Sequence, residues 1–187
     1  MIKDKFRPLI RNIKLIYWLP AVAIFTLAFA LYITNQMQEN RSLFPYSLAC
    51  RGDFLSEAQY DDKKAKVNTT IYFSFLNENR MLVSLSGNAF LYDGQNKLIE
   101  KRILLRNIYY DYVLENKTLQ TYTLTSRQIN VDSIDTMDQT LSSLVLMNSF
   151  YISGHTDTLV MKKYDDHTML IETNQSPLVM CVFKPAR

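Results

Sequence analysis

The longest apolar stretch of the chain runs from Leu15 to Thr34. It holds twenty residues without a charge, and its only polar-tipped side chains belong to Tyr, Trp and Thr. At about 1.5 Å per residue, a helix of this length spans about 30 Å, the thickness of the hydrocarbon core of a bilayer. A buried helix of a globular domain would carry a polar stripe, which this stretch lacks. The pattern therefore predicts a transmembrane helix over 15–34.

Beyond residue 48 the apolar residues recur with a period of two. The segment 67–75 alternates strictly, and the alternation resumes at 81–91 after the turn sequence at 77–79. Such alternation is typical of strands with one buried face. A charged loop is expected over 56–66, and Asp93-Gly94 is a hairpin signal. The predicted strands are 48–54, 67–75, 81–91, 97–113, 118–130, 156–164, 167–173 and 178–183.

One segment among the strands has helical periodicity. Its apolar positions recur at i, i+4, i+7 and i+8: Met137, Leu141, Leu144 and Val145. Thr136 and Gln139 fit a capping box, with Thr136 as the N-cap. We expect a helix of about three turns packed across the open end or one face of the sheet.

Seven or eight strands, one helix and no strand–helix alternation predict a mainly-β (α+β) domain, built as an antiparallel meander, a curled sheet or a small barrel. Such a barrel either fills its interior with side chains or encloses one small apolar ligand, and the sequence leaves both open. The predicted organisation is a cytoplasmic tail (1–14), a transmembrane helix (15–34), a linker (35–47) and a β-rich periplasmic domain (48–187).

The net charge of +3 is unevenly distributed, with +4 in residues 1–14 and −1 in the remainder. The cations of the tail are Lys3, Lys5, Arg7, Arg11 and Lys14. Only Arg41 is basic in the 16 residues after the apolar stretch. The positive-inside rule therefore predicts a cytoplasmic N-terminus and export of residues 35–187 across a bacterial inner membrane. Because the excess is juxtamembrane, it does not predict nucleic-acid binding.

Cleavage as a signal peptide is the alternative to an uncleaved anchor. Ala28-Phe29-Ala30 fits a small-x-small cleavage site. The apolar run nevertheless continues through Ile33 and exceeds the usual length of a signal-peptide core, which favours the anchor.

The two cysteines, Cys50 and Cys181, lie near opposite ends of the predicted domain. On the oxidising side of a membrane such a pair is expected to form a disulfide. The bridge would tie the first strand to the last, a constraint worth about 4–5 kcal/mol in the chain-entropy model. A structural role is favoured over a regulatory one.

Chemistry-bearing motifs are scarce, so we expect no enzyme, cofactor or metal site. His155 and His167 fall in predicted turns without a nucleophile nearby in the pattern, and Asp61-Asp62 and Asp165-Asp166 have the character of turn residues. No zinc-ligand spacing, phosphate-binding glycine loop or nucleophile elbow is present in the sequence.

A tyrosine cluster is the one candidate surface for a partner or ligand. Tyr109, Tyr110 and Tyr112 lie near the end of the third long strand. Cross-strand packing is the alternative explanation, because aromatic pairs commonly stabilise sheets in this way.

The layout resembles the FidL-like membrane proteins of enterobacteria. The resemblance covers essentially the whole chain and rests on the anchor, the paired outer cysteines, and the ending Ser176-Pro177-Leu178-Val179-Met180-Cys181. More loosely, the chain looks like the small ToxS-type partners of membrane-anchored regulators. That resemblance implies a lipocalin-like barrel and a periplasmic partner, namely a winged-helix transcription regulator of the ToxR/CadC type.

The expected function is therefore that of a non-enzymatic inner-membrane protein whose periplasmic domain binds and tunes or protects such a regulator. Besides the lipid bilayer and this regulator, an apolar small molecule is a candidate ligand. The alternatives are a stand-alone periplasmic module that binds a small ligand, or a component of an envelope assembly.

Overall fold

The computed structural model describes residues 22–34, 48–173 and 176–183. The chain divides into two compact units, Met1–Arg41 and Ser42–Arg187. In the first unit, helix α1 covers residues 22–34, and every residue of it is exposed. Within the described ranges, none of the helices combines the length and the hydrophobicity that crossing a membrane requires. The predicted tail, the linker 35–47 and residues 15–21 of the predicted span lie outside the described residues.

The second unit is a closed antiparallel barrel in which each strand pairs with the next, and β8 returns to β1. The strands are β1 (Ala49–Tyr60), β2 (Lys63–Asn77), β3 (Arg80–Tyr92), β4 (Leu98–Asn116), β5 (Thr121–Val131), β6 (Thr156–Lys163), β7 (Thr168–Thr173) and β8 (Pro177–Phe183). Helix α2 (Gln139–Val145) and a 3-10 turn, η1 (Asn148–Phe150), connect β5 to β6. The predicted small β-rich barrel is thus confirmed.

The charged loop predicted over 56–66 is wrong, because this segment forms the hairpin between β1 and β2. The two strands pair from Ala49 to Tyr60, and the turn takes only Asp61 and Asp62, with Asp61 at a φ of 52°. The charged side chains lie on the solvent face, where Lys64 Nζ is 2.6 Å from Glu57 Oε1 across the pair. Charge at alternate positions thus marks an outer strand face here, not a loop.

The wall of the barrel is much taller on one side than on the other. β4 has 19 residues, whereas β7 has six, and β6 pairs with β5 only from Thr121 to Thr125. The connection between β5 and β6 fills the side that the short strands leave open. In it, α2 contacts β1 and β2, and Phe150 of η1 packs edge-on against Phe54 at 6.3 Å between ring centroids.

Helix α2 begins later than predicted, and with seven residues it has about two turns, not the three that were expected. Its N-cap is Asp138, whose side chain accepts a hydrogen bond from the Leu141 backbone N–H at 2.7 Å. Thr136 is not the N-cap, because its hydroxyl accepts from the Ile103 backbone N–H of β4 at 2.8 Å. Thr136 therefore bonds the connection to β4, and Asp138, two residues later, caps the helix.

A buried ion pair fastens the same connection to the inside of the tall wall. Arg106 of β4 faces the interior and donates from Nε to Asp135 Oδ2 at 3.0 Å, and the side-chain exposures are 5% and 0%. The guanidinium also donates to the Met137 carbonyl and the Ser142 hydroxyl, each at 3.2 Å. Asp135 also accepts hydrogen bonds from the Leu105 and Met137 backbone N–H groups, at 2.9 and 2.8 Å, and this network offsets the cost of burying the two charges.

The barrel interior is filled by its own side chains. Residues of every strand project inward at alternate positions, among them Ile71, Met81, Leu85, Ile108, Met161 and Met169, each without measurable exposure. Aromatic side chains close one end, with Tyr112 packed 5.7 Å from Phe75 and 6.0 Å from Tyr122 between ring centroids. Of the two interiors that the sequence left open, the filled one is found.

Candidate functional site

The predicted disulfide is confirmed and lies where the barrel closes. Cys50 of β1 is bonded to Cys181 of β8 across 131 residues of sequence, with 5.4 Å between the Cα atoms. The two residues are 2% and 0% exposed. The bridge reinforces the shortest strand pairing in the barrel, since β1 pairs with β8 only through Cys50 with Phe183 and Arg51 with Val182.

The closing strands approach each other too closely for any residue but glycine at position 52. A Cβ there would lie 2.5 Å from the Met180 carbonyl oxygen and would also collide with the Val179 side chain. Glycine is the residue that allows such close backbone approach. Pairing between β1 and β8 ends at this crossing, so that β1 continues beyond it with β2 as its only paired neighbour in the described chain.

The remainder of β1 therefore presents backbone groups along one side. The Phe75 N–H donates to the Leu48 carbonyl at 2.9 Å. This hydrogen bond shows that the even-numbered residues of β1 point their backbone N–H and C=O groups towards β2. Because hydrogen-bonded residues alternate along an antiparallel pair, the odd-numbered residues point their N–H and C=O groups the other way. We call this side of Asp53, Leu55, Glu57 and Gln59 the open edge. In the described part of the chain no strand pairs with it.

The four residues of the open edge are exposed to solvent, and they comprise one apolar residue, two carboxylates and one amide. Leu55 retains 62% of its side-chain surface. Glu57 is paired with Lys64, and Asp53 Oδ1 accepts a hydrogen bond from the Thr70 hydroxyl at 3.2 Å. An unpaired strand edge of this length is a template on which another strand can form a ladder, and α2 is the described helix that contacts the same strand.

A second surface lies on the outside of the barrel where β1 meets β8. We call Arg51, Tyr72, Met180 and Val182 the seam surface. They border a groove of about 680 Å³. Met180 and Val182 are each 55% exposed and Tyr72 is 40% exposed, and the Arg51 guanidinium lies 5.6 Å from the centroid of the Tyr72 ring. The surface thus combines exposed apolar side chains with one cation held on an aromatic face, and Asp53 adds one exposed carboxylate to the same groove.

The three predicted tyrosines do not share a surface. Tyr110 and Tyr112 face the interior and are about 2% and 1% exposed, whereas Tyr109 faces outward and is 38% exposed. The Tyr110 hydroxyl lies 2.9 Å from Ser149 Oγ and donates to the Ser149 carbonyl at 3.0 Å. Core packing, the alternative explanation, accounts for the two buried members.

Burial raises the pKa of Tyr110 well above its ordinary value of 10. The hydrogen bond with Ser149 opposes this shift, and the negative charge of Asp157 adds to it. The hydroxyl therefore stays protonated at every physiological pH and serves to hold η1 against β4.

The histidines and paired aspartates have structural partners. His155 Nε2 lies 3.5 Å from Asp157 Oδ1, and the backbone N–H of His167 donates to Asp165 Oδ1 at 2.7 Å within the turn between β6 and β7. That bond lowers the pKa of Asp165, and the hydrogen bond and charge of Lys163 lower the pKa of Asp166. Across the described residues, no cluster of three or more His, Cys, Asp or Glu is arranged to hold a metal ion.

The remaining predicted site residues are the topology determinants Lys3, Lys5, Arg7, Arg11 and Lys14, which lie outside the described residues. Sequence reasoning missed both surfaces at the barrel closure. Two signals pointed to them. β8 is apolar at every position from Leu178 to Phe183, although a strand with one face in water normally alternates. The second signal is the charge at alternate positions after residue 55, which was predicted as a loop but extends β1 beyond the residues that pair with β8.

No protein-family model matches the chain, and no curated protein matches its sequence significantly.

Proposed function

We propose that this chain is a single-pass protein of the bacterial inner membrane whose periplasmic barrel binds a partner protein and tunes or protects it. The partner that the sequence resemblance suggests is a membrane-anchored transcription regulator of the ToxR/CadC type. The anchor is residues 15–34, and the binding element is the open edge of β1.

The anchor is supported by the character of the part of it that is described. Helix α1 exposes large apolar side chains on all sides, with Phe25 at 73% and Ile24 at 68%. An all-round apolar helix is stable only where apolar surroundings cover it. The hydroxyls of Thr26 and Thr34 donate to carbonyls one turn earlier, at 2.9 and 3.0 Å, so that each is satisfied without water.

The open edge is the observation that carries the proposal. A partner strand laid along Asp53–Gln59 would bond to the outward N–H and C=O groups of four residues, and its side chains would meet the exposed Leu55. Main-chain hydrogen bonds give affinity in this mode, and the alternating side chains give specificity. A small-ligand module has less support, because the barrel interior is occupied by side chains.

Site-specific photocrosslinking in native membranes tests the proposed partner. A photoreactive amino acid replaces Leu55 in the full-length chain, and crosslinked proteins are identified by mass spectrometry. We expect a crosslink to a protein with one membrane span and a cytoplasmic winged-helix domain. Ile103 of β4, which is 40% exposed, is the matched control position. Equal crosslinking at both positions, or none at Leu55, would contradict the proposal.

A proline at the open edge separates strand addition from simple surface contact. Leu55→Pro removes an N–H that points away from β2, so the pairing with β2 is preserved. We expect this variant to fold, to form the disulfide, and to lose partner binding in a pull-down from solubilised membranes. Leu55→Ala, which keeps the N–H, is expected to retain most of the binding.

The proposed topology has its own test. Alkaline phosphatase fused after residue 187 is expected to be active, because it folds only after export. Activity of a fused reporter that functions only in the cytosol would overturn the proposed location of the barrel.

A further inference from the structure

The outer face of β8 is unusually apolar for a surface strand. Successive residues from Leu178 to Phe183 are apolar, so that Val179, Cys181 and Phe183 fill the core while Met180 and Val182 remain more than half exposed. A strand that is apolar on both faces is normally covered on both. The seam surface therefore has the composition of a contact surface.

Both chain ends of the barrel lie at this surface. β1 begins at Ala49 and β8 ends at Phe183, and both residues border the groove. Thirteen residues, 35–47, connect the proposed anchor to this point. A chain of that length reaches at most about 45 Å when fully extended and about 20 Å as a random coil. With the proposed anchor at 15–34, the linker joins the membrane to the end of the barrel at which β1 begins.

We propose that the seam surface contacts the phospholipid surface of the membrane in which the chain is anchored. Tyr72, Met180 and Val182 would lie at the level of the headgroups and upper acyl chains, with Arg51 paired to a lipid phosphate. The inference rests on the proposed anchor at 15–34.

The chemistry of these residues matches a lipid interface. Tyr is enriched at membrane–water boundaries, because its ring is apolar and its hydroxyl is hydrated. The Arg51 guanidinium lies over the Tyr72 ring, 5.6 Å from its centroid, so the cation is already held beside the apolar side chains. Such a contact would fix which end of the barrel faces the membrane and would leave the open edge, which runs away from the seam, accessible to a partner.

Lipid quenching of tryptophan fluorescence tests the contact on the full chain in vesicles of phosphatidylethanolamine and phosphatidylglycerol that carry bromine on their acyl chains. Trp18, the only tryptophan, is replaced by Phe, and a probe is introduced as Val182→Trp. The matched control is Ile99→Trp near the start of β4, at the opposite end of the barrel from Ala49 and Phe183. Val182 and Ile99 are similarly exposed, at 55% and 52%, and β4 lies four strands from β8 in either direction around the barrel.

We expect bromolipid to quench the probe at 182 at least about three-fold more than the probe at 99. Equal quenching at the two positions would overturn the inference. Adding Arg51→Glu to the 182 probe is expected to reduce its quenching by about half, since it replaces the attraction to lipid phosphate with repulsion. Unchanged quenching in that variant would rule out the role assigned to Arg51.

The unmodified chain distinguishes this inference from the proposed function. Trp18 lies within the proposed anchor, so its fluorescence is expected to be quenched in the same vesicles. If Trp18 is quenched and the probe at 182 is not, the membrane contact fails and the anchor stands. If Trp18 is not quenched and the chain does not float with the vesicles, both fail together.

Discussion

At the scale of single residues, the charged and polar groups inside the barrel hold the β5–β6 connection in place. Arg106 and Asp135 do so through an ion pair, and Tyr110 does so through its bond with Ser149. None of these roles is visible in the sequence, because an arginine at an alternate strand position has the same appearance whether it faces water or the core. Arg106 faces the core because it lies in phase with the inward-facing Leu104 and Ile108, and Asp135 supplies its counter-charge there.

Removing one member of the buried pair should be costly. Asp135→Ala leaves the Arg106 cation buried without a counter-charge, and we expect the free energy of unfolding to fall by about 3–5 kcal/mol in urea titrations. Asp166→Ala, which removes an exposed pair with Lys163, should produce no measurable change. A small effect of Asp135→Ala would show that Arg106 reaches solvent.

Tyr110 should make the barrel sensitive to alkali. Because its pKa is raised in the folded state, the folded protein keeps a proton that the unfolded chain loses near pH 10, and stability should decrease as the pH rises above about 10. Tyr110→Phe should weaken this decrease when unfolding is measured from pH 9 to 11. An unaltered pH dependence in the variant would contradict the assignment.

At the scale of elements, alternation alone predicts most of the strands, and their failures have a common cause. The strands at 67–75 and 81–91 are found within β2 and β3 because their alternating apolar residues all face one core. The loop expected over 56–66 and the cap expected at Thr136 were wrong because local polarity does not reveal what a residue pairs with. The charged residues of β1 pair with β2 across their own tight hairpin, and Thr136 accepts a hydrogen bond from the distant Ile103 N–H.

The N-cap of α2 can be assigned by mutation. Asp138→Ala removes the acceptor for the Leu141 N–H and should lower the free energy of unfolding by about 1 kcal/mol. Gln139→Ala should have almost no effect, whereas a capping box with Thr136 would make it costly. Equal losses in the two variants, measured by urea unfolding, would contradict the cap at Asp138.

The disulfide should stabilise the barrel, and the folded barrel should shield the disulfide from reduction. Replacing Cys50 and Cys181 together by serine should lower the free energy of unfolding by about 4–5 kcal/mol, since the bridge closes a long loop. Because both residues are buried, dithiothreitol should not reduce the folded protein, and thiol alkylation should appear only in urea. Ready reduction of the folded protein would show that the closing strands separate in solution.

At the scale of the whole molecule, the barrel has a filled interior, so its interactions with other molecules fall on its outside. The two surfaces available at the closure differ in kind: the seam surface is apolar with one cation, and the open edge offers backbone hydrogen bonds. The sequence predicted a β-rich barrel and the disulfide, but not these surfaces. Both surfaces exist because β1 is longer than β8 and extends past it. The extent to which two distant strands pair cannot be predicted from the sequence of either strand alone.

Amide hydrogen exchange along β1, measured by NMR on the purified full-length protein, tests the open edge most directly. The amides of Leu55, Glu57 and Gln59 should exchange rapidly, while those of Phe54, Ser56 and Ala58, which point towards β2, should be strongly protected. Adding a partner that pairs with the edge should protect the first set as well. Equal protection of odd and even positions in the protein alone would show that the edge is already covered and would contradict the account.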